Sequence, residues 1–188
     1  MRVIAGRFRS RPLRSLPGMD LRPTADRLRE TLFNVLAAGK ATAFDGKVWL
    51  DLCAGTGAVG IEALSRGAAQ AYFVESSTSA ASLIARNLHS LGVESGFEVL
   101  REDVMRALRK LETRKVSADF IFLDPPYRLE KIYEQTLQRL SHSPLLKAET
   151  VVVVEHEKRF DPGDGLAPLH RYRTLEQGDA ALSFYRAS

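Results

Sequence analysis

The tetrapeptide Asp124-Pro125-Pro126-Tyr127 follows the apolar run Phe120–Leu123, and it brings together groups that can hold a planar amine. A carboxylate accepts hydrogen bonds. A proline carbonyl accepts them too, while its ring fixes φ. Two acceptors aimed at the two N–H bonds of an exocyclic amine favour the shift of its nitrogen toward tetrahedral, nucleophilic geometry, and they stand where charge develops in the transition state. Tyr127 adds a ring on which a flipped-out base can stack, a contact worth about 1–3 kcal/mol. The same residues also fit a simple Pro-Pro turn, so their meaning depends on what the neighbouring strands carry.

A second constellation lies upstream, in Leu50-Asp-Leu-Cys-Ala-Gly-Thr-Gly-Ala-Val-Gly60. Gly55 and Gly57 let a strand-to-helix turn bend sharply and approach a ligand without a Cβ in the way. In an open α/β sheet the carboxyl end of a strand is where ligands bind. Gly55-Thr-Gly57-Ala-Val-Gly60 also satisfies the dinucleotide pattern G-x-G-x-x-G, and Glu75 lies about 20 residues on, where an acid binds ribose hydroxyls. Asp51 separates the two readings. An acid just before the turn repels a pyrophosphate but attracts an α-ammonium group, which favours S-adenosylmethionine over NAD. Asp103 is a candidate acceptor for the adenine amine, or the N-cap of the next helix; Asp51 has the parallel alternative of a turn cap. The expected cofactor contacts are Asp51, Cys53, Ala54, Gly55, Thr56, Gly57, Glu75, Asp103 and Val104, with Asp124 to Tyr127 as the catalytic loop.

These residues need a scaffold, and the chain alternates strand and helix from Val48 onward. Strands are predicted at Val48–Leu52, Ala71–Val74, Phe97–Leu100, Phe120–Leu123 and Val151–Val154. Helices are predicted at Val59–Arg66, Ser79–Leu91, Val104–Leu111 and near Tyr133–Leu140, with Gly67 and Gly92 as helix stops. Short apolar strands between helices indicate a parallel sheet covered on both faces. Tyr172–Leu175 and Ala181–Tyr185 flank Gln177-Gly178-Asp179 as an antiparallel hairpin. The expected fold class is the α/β, Rossmann-like sheet of class I methyltransferases, mostly parallel and closed by that hairpin. One domain is expected over 1–188, divided into a basic N-terminal arm and helix at 1–40 and a cofactor-binding core at 41–188.

The arm concentrates the charge. Residues 1–30 hold eight arginines, three acids and no lysine, a net +5 in a chain of net +4. Arginine's planar fork suits phosphate, and such a stripe is an electrostatic footprint for nucleic acid, although it also fits a solvated tail. The first dozen residues, with short apolar pieces around Gly6, read as a small hairpin or an extended arm. Thr24 then N-caps a helix whose buried stripe is Leu28, Leu32, Val35 and Leu36. Arg22, Arg27 and Arg29, near its start, are placed to reach a phosphate backbone. Arg2, Arg7, Arg9, Arg11, Arg22, Thr24 and Arg27 are the expected nucleic-acid contacts.

The arm Arg2-Val-Ile-Ala-Gly-Arg-Phe-Arg-Ser-Arg-Pro-Leu, the stretch Leu21-Arg-Pro-Thr-Ala-Asp-Arg-Leu-Arg-Glu-Thr-Leu-Phe, the glycine turn and Asp124-Pro-Pro-Tyr together resemble the RsmD family of bacterial 16S rRNA guanine-N2 methyltransferases. The resemblance spans most of the chain, and Cys53, where relatives often carry phenylalanine or another apolar residue, is a mild departure. It implies transfer of methyl from S-adenosylmethionine, leaving S-adenosylhomocysteine, to a guanine N2 on the small ribosomal subunit or its assembly intermediate. From the residues alone, a DNA adenine-N6 methyltransferase, a non-catalytic RNA-binding module and an NAD oxidoreductase remain open, though no insertion is large enough for a DNA target-recognition domain.

The remaining sequence constrains context. Four scattered histidines and one cysteine lack ligand spacing, so no metal site is expected. Cys53 and Trp49 read as packing residues. The lone cysteine excludes an internal disulfide, no apolar run reaches membrane-span length, and the basic start lacks the apolar stretch of a signal peptide. A cytoplasmic monomer with no membrane partner is expected.

Overall fold

The structure, a computed structural model, describes residues 1–15, 23–126 and 128–187, with the side chains of residues 23–25 outside that description. Seven strands form one sheet in the order β3-β2-β1-β4-β5-β7-β6. They are β1 (Val48–Leu52), β2 (Gln70–Val74), β3 (Phe97–Leu100), β4 (Ala118–Leu123), β5 (Leu146–Glu157), β6 (Leu169–Gln177) and β7 (Ala180–Ala187). The first five run parallel, and β7 pairs antiparallel with both β5 and β6. The parallel sheet closed by an antiparallel hairpin is therefore present. β5 begins earlier than its Val151–Val154 apolar centre, where Leu146 pairs with Ala118 on β4, and ends later, because β7 continues to pair with it as far as Glu157.

Two apolar layers cover the sheet, as parallel strands buried on both faces require. On one face lie α1 (Pro23–Ala37), α2 (Ala58–Ser65) and α3 (Thr78–Ser90), packed on Trp49, Phe73, Phe120 and Phe122. On the other lie α4 (Val104–Thr113) and α5 (Glu130–Ser141), packed on Leu50, Leu52, Ile121 and Leu123. Trp49 is fully buried and stacks on Phe33 at 5.1 Å, which seats α1 on the sheet. The α1 stripe thus differs from the expected one. Leu28, Leu32 and Phe33 are buried, whereas Val35 and Leu36 are only partly so. The aromatic cluster of Phe33, Phe44, Trp49 and Phe120 decides which side of the helix faces inward. The helix begins at Pro23, which puts Thr24 inside its first turn rather than at the N-cap.

The arm folds back on itself as expected. Arg2 bridges Pro12, and Val3 N donates to Arg11 O at 3.0 Å. It lies along α2, where Gly6 has φ +80° and a Cβ there would fall 1.9 Å from Ser65 O. Only glycine permits that approach. The buried Glu62 carboxylate accepts from Ile4 N at 2.8 Å and Ala5 N at 2.9 Å. Asn87, on α3 and fully buried, accepts from Arg14 N and donates both to Arg14 O and to Thr56 O, at 3.0 Å for the last. Buried polar groups of this kind persist only when their partners are present, so the arm is fixed against the core.

Candidate active site

Strand register sets out the site. Leu52 stands level with Val74 and Leu123, and Leu123 with Val154. One residue further along each strand, Glu75, Cys53, Asp124 and Glu155 therefore form a row along the carboxyl edge of the sheet. A cleft of about 1040 Å³ opens over that edge, at the top of the ~300–1,000 Å³ usual for ligand pockets. It is lined by the glycine turn, Asp51, Glu75, Asp103, Val104, Asp124, Pro125 and Pro126, together with Glu155 and, from the arm and α1, Met1 and Arg29.

The turn after β1 is held by backbone and carboxylate together. Gly57 N donates to Ala54 O at 2.7 Å, and Ala54 N donates to Val74 O on β2. Cys53, Gly55 and Gly57 all have positive φ, the turn the sequence pattern calls for. Glu75 accepts from Gly55 N at 2.9 Å with one oxygen, which holds the turn, and from Ser77 N at 2.8 Å with the other, which ties it to the segment entering α3. Each oxygen keeps a second lone pair for a ligand. Asp51 is buried and accepts from Gly60 N at 2.8 Å, which caps the first turn of α2. Burial, aided by Asp124 and Glu75, holds its carboxyl well above the usual range against the lowering effect of that N–H. Asp103 caps α4 by accepting from Arg106 N at 3.0 Å. The capping roles are thus real for both acids, and both also line the cleft.

The Cys53 thiol is pushed up to about 12 by burial and by the carboxylates of Asp124, Glu75 and Asp51. A thiol so protonated is no nucleophile at neutral pH, which agrees with a packing role. Thr56 is buried, and its hydroxyl donates to Met1 Sδ at 3.5 Å.

On the loop after β4, burial pushes the Asp124 carboxyl up to about 7. Tyr133 on α5 donates its hydroxyl to Pro125 O at 3.3 Å, which orients that carbonyl while leaving a lone pair for an incoming amine. Tyr127 lies outside the described residues, as do Arg22 and the Thr24 side chain.

Four expected RNA contacts, Arg2, Arg7, Arg9 and Arg11, stand exposed along the arm. Arg7 lies 4.5 Å over the Phe8 ring, and Arg11 donates to Ser90 O at 3.0 Å. Arg27 is exposed on α1. Arg29, expected at the phosphate backbone, is instead buried. It donates to Arg2 O at 2.6 Å and Asp26 at 3.0 Å, with its Nε 3.9 Å from Glu62. Glu62 draws it inward, because a buried carboxylate keeps its charge only beside a cation.

Sequence reasoning missed Glu155, Tyr133 and the inward Arg29. Glu155 had a readable signal, an acid closing the apolar run Val151–Val154, the same position in its strand that Asp124 holds after Phe120–Leu123. The cleft residues fit a cationic, hydrogen-bonding cofactor. Asp51, Glu75, Asp103, Asp124 and Glu155 all line it. Two buried donors that line it, Arg29 Nε and Thr136 Oγ1, have no hydrogen-bond partner among the described residues. Among those residues, no helix is long and apolar enough to cross a membrane.

Comparison with known proteins gives one answer. Residues 1–186 match the family described as conserved hypothetical protein 95. The chain is 33% identical to the Bacillus subtilis YlbH protein, whose name gives rRNA methylation provisionally, over 99% of this chain and 98% of that one. It is 36% identical to the ribosomal RNA small subunit methyltransferase D of Escherichia coli, over 84% of this chain and 75% of that one. The solved structure of Escherichia coli YhhF, provisionally described as a methyltransferase, superposes with a TM-score of 0.83 at 30% identity, covering 100% of this chain and 97% of its own. With the fold, the acid-lined glycine turn, the docked arm and these relatives in agreement, the chain belongs to the RsmD family of small-subunit rRNA methyltransferases.

Proposed function

We propose that the chain transfers methyl from S-adenosylmethionine to the exocyclic N2 amine of a guanine in 16S rRNA, on the small subunit or an assembly intermediate. The observation that carries this reading is the placement of Asp124 and the oriented Pro125 carbonyl at the rim of a cleft lined with carboxylates. Such a cleft favours a sulfonium and an ammonium and disfavours the pyrophosphate of NAD.

When bound, S-adenosylmethionine supplies an electrophilic methyl group on sulfur. In this reading Asp51 holds the methionine ammonium, Glu75 the ribose hydroxyls and Asp103 the adenine amine, along the turn Cys53–Gly57 and against Val104. Asp124 and Pro125 accept from the guanine amine and aim its lone pair, Pro126 stiffens the loop, and Tyr127 stacks on the flipped base. Residues 1–40 form the RNA-binding part, with Arg2, Arg7, Arg9, Arg11, Arg22, Thr24 and Arg27 on the RNA, and residues 41–188 the catalytic core. The protein works in the cytoplasm as a monomer without a metal.

The test is transfer of labelled methyl to small subunits lacking the modification, with naked rRNA and unmethylated DNA as parallel acceptors. Label on one guanine N2 of the subunit is the expected result. Label on DNA adenine alone overturns the substrate while keeping the fold and the Asp124 chemistry.

A further inference from the structure

We propose that Glu155 acts through Asp124 as a positioning residue for its proton: the two carboxyl groups hold one proton between them, and the single charge they keep takes up the proton that the methylated amine sheds. For its chemistry this rests on the methyl-transfer reading above.

The geometry places the two side by side. Leu123 and Val154 are in register on the adjacent parallel strands β4 and β5, and Asp124 and Glu155 are the next residues on each. Both line the cleft. The charged side chains that line the cleft around them are acidic except Arg29, and neither Arg29 nor the Met1 ammonium, which also lines it, forms an ion pair with Asp124 or Glu155 among the described residues. β1 offers Asp51 and Cys53, β2 offers Glu75, and the segment before α4 offers Glu102 and Asp103. From α5 come the neutral Gln135 and Thr136, and from β7 the apolar Leu182. The cationic side chain among the described cleft residues is Arg29, and its ion pairs go to Asp26 and Glu62. Two adjacent carboxyls in such surroundings do not both ionise, because the like charge and the burial each penalise the second. Burial raises Asp124, and burial with the Asp124 charge raises Glu155 well above the usual range.

The step balances. The amine nitrogen bonds to the methyl carbon as the carbon–sulfur bond breaks, and that bond's electron pair stays on sulfur. The nitrogen, now cationic, releases one proton. The Asp124–Glu155 pair gains it, passing from one bound proton to two, and returns it to solvent when the product leaves.

The test uses the intact chain and two isosteric variants, Glu155→Gln and Asp124→Asn. Infrared difference spectra, wild type minus variant, follow the protonated carboxyl band across pH 5–9 without any need for turnover. In each variant the surviving carboxyl is expected to ionise at least about one pH unit below the upper step of the wild-type pair, since its like-charged neighbour is gone. A survivor that titrates at the wild type's upper step overturns the shared proton. In single-turnover methyl transfer, Glu155→Gln is expected to leave the acid limb, set by protonation of the last charge, within about half a unit of the wild type and to remove the step at higher pH where the pair loses its shared proton. A profile superimposed on the wild type overturns the role in the reaction. A wild-type chain that methylates no acceptor defeats the methyl-transfer reading and the catalytic half of this proposal, while the infrared result still decides whether the proton is shared.

Discussion

The Tyr133 hydroxyl donates to the Pro125 carbonyl across 3.3 Å, from a ring that is 1% exposed and packs on Phe160. A side chain from α5 thereby holds a backbone acceptor of the loop after β4, the one proposed to receive the guanine amine. Tyr133→Phe keeps the ring and removes this hydrogen bond, worth about 0.5–1.5 kcal/mol. The expected result is a fall in the methyl-transfer rate of about 2- to 10-fold, with cofactor affinity unchanged in a calorimetric titration. An unchanged rate shows that the carbonyl needs no such support.

Asp124 carries a stability prediction whose sign follows from its titration. Its folded carboxyl sits near 7, above the ordinary 3.8. Between those values the folded chain binds the extra proton, so this group lowers stability progressively as pH rises from about 4 to about 7, and the loss is complete above that. Asp124→Asn is expected to be more stable than the wild type at pH 8, by on the order of 1–4 kcal/mol, and nearly equal at pH 4. Urea unfolding at the two pH values reads this directly, while methyl transfer by the variant should be lost.

The arm supplies a salt-dependence prediction. Arg7, Arg9 and Arg11 are exposed. Replacing all three with Ala should reduce the slope of log affinity against log salt by about 2, given roughly 0.7–0.9 for each phosphate no longer neutralised. Binding to small subunits at several salt concentrations measures it, and a slope equal to the wild type's removes the arm from the RNA interface.

The arm's attachment is separately testable at Glu62. This carboxylate is 0% exposed, accepts from Ile4 N and Ala5 N, and pairs with Arg66 at 2.7 Å. Glu62→Ala leaves two backbone donors and buried guanidinium groups without it, a change expected to cost about 3–5 kcal/mol. Limited proteolysis should then cut first within residues 1–15, and resistance equal to the wild type's would show that the arm is held by other contacts.

Most of the fold was legible because each strand is a short apolar run and each helix has a stop. Val48–Leu52 and Phe97–Leu100 are found with their expected ends, and Gly67 and Gly92 do close α2 and α3 with positive φ. Asp51, Glu75 and Asp124 were legible because each stands near the end of such a run. Glu155 was not, since its meaning depends on β5 lying beside β4, which is a fact of strand order rather than local pattern. Arg29 misled for a related reason. An arginine among arginines reads as surface, and only the docking of α2, with Glu62 facing it, turns it inward. Val35 and Leu36 have helical spacing, but the stacking of Phe33 on Trp49 outweighs it.

Asn87 holds Arg14 of the arm and Thr56 of the glycine turn with one buried amide. That amide closes a thermodynamic cycle between the two ends of the site. If RNA binds the arm as proposed, a ligand that changes the turn changes the RNA affinity through this amide, and RNA must change that ligand's affinity by the same factor. Cooperative binding of the methyl donor and the ribosomal particle is the expected outcome. One ratio of affinities should describe it, in whichever order the two are added.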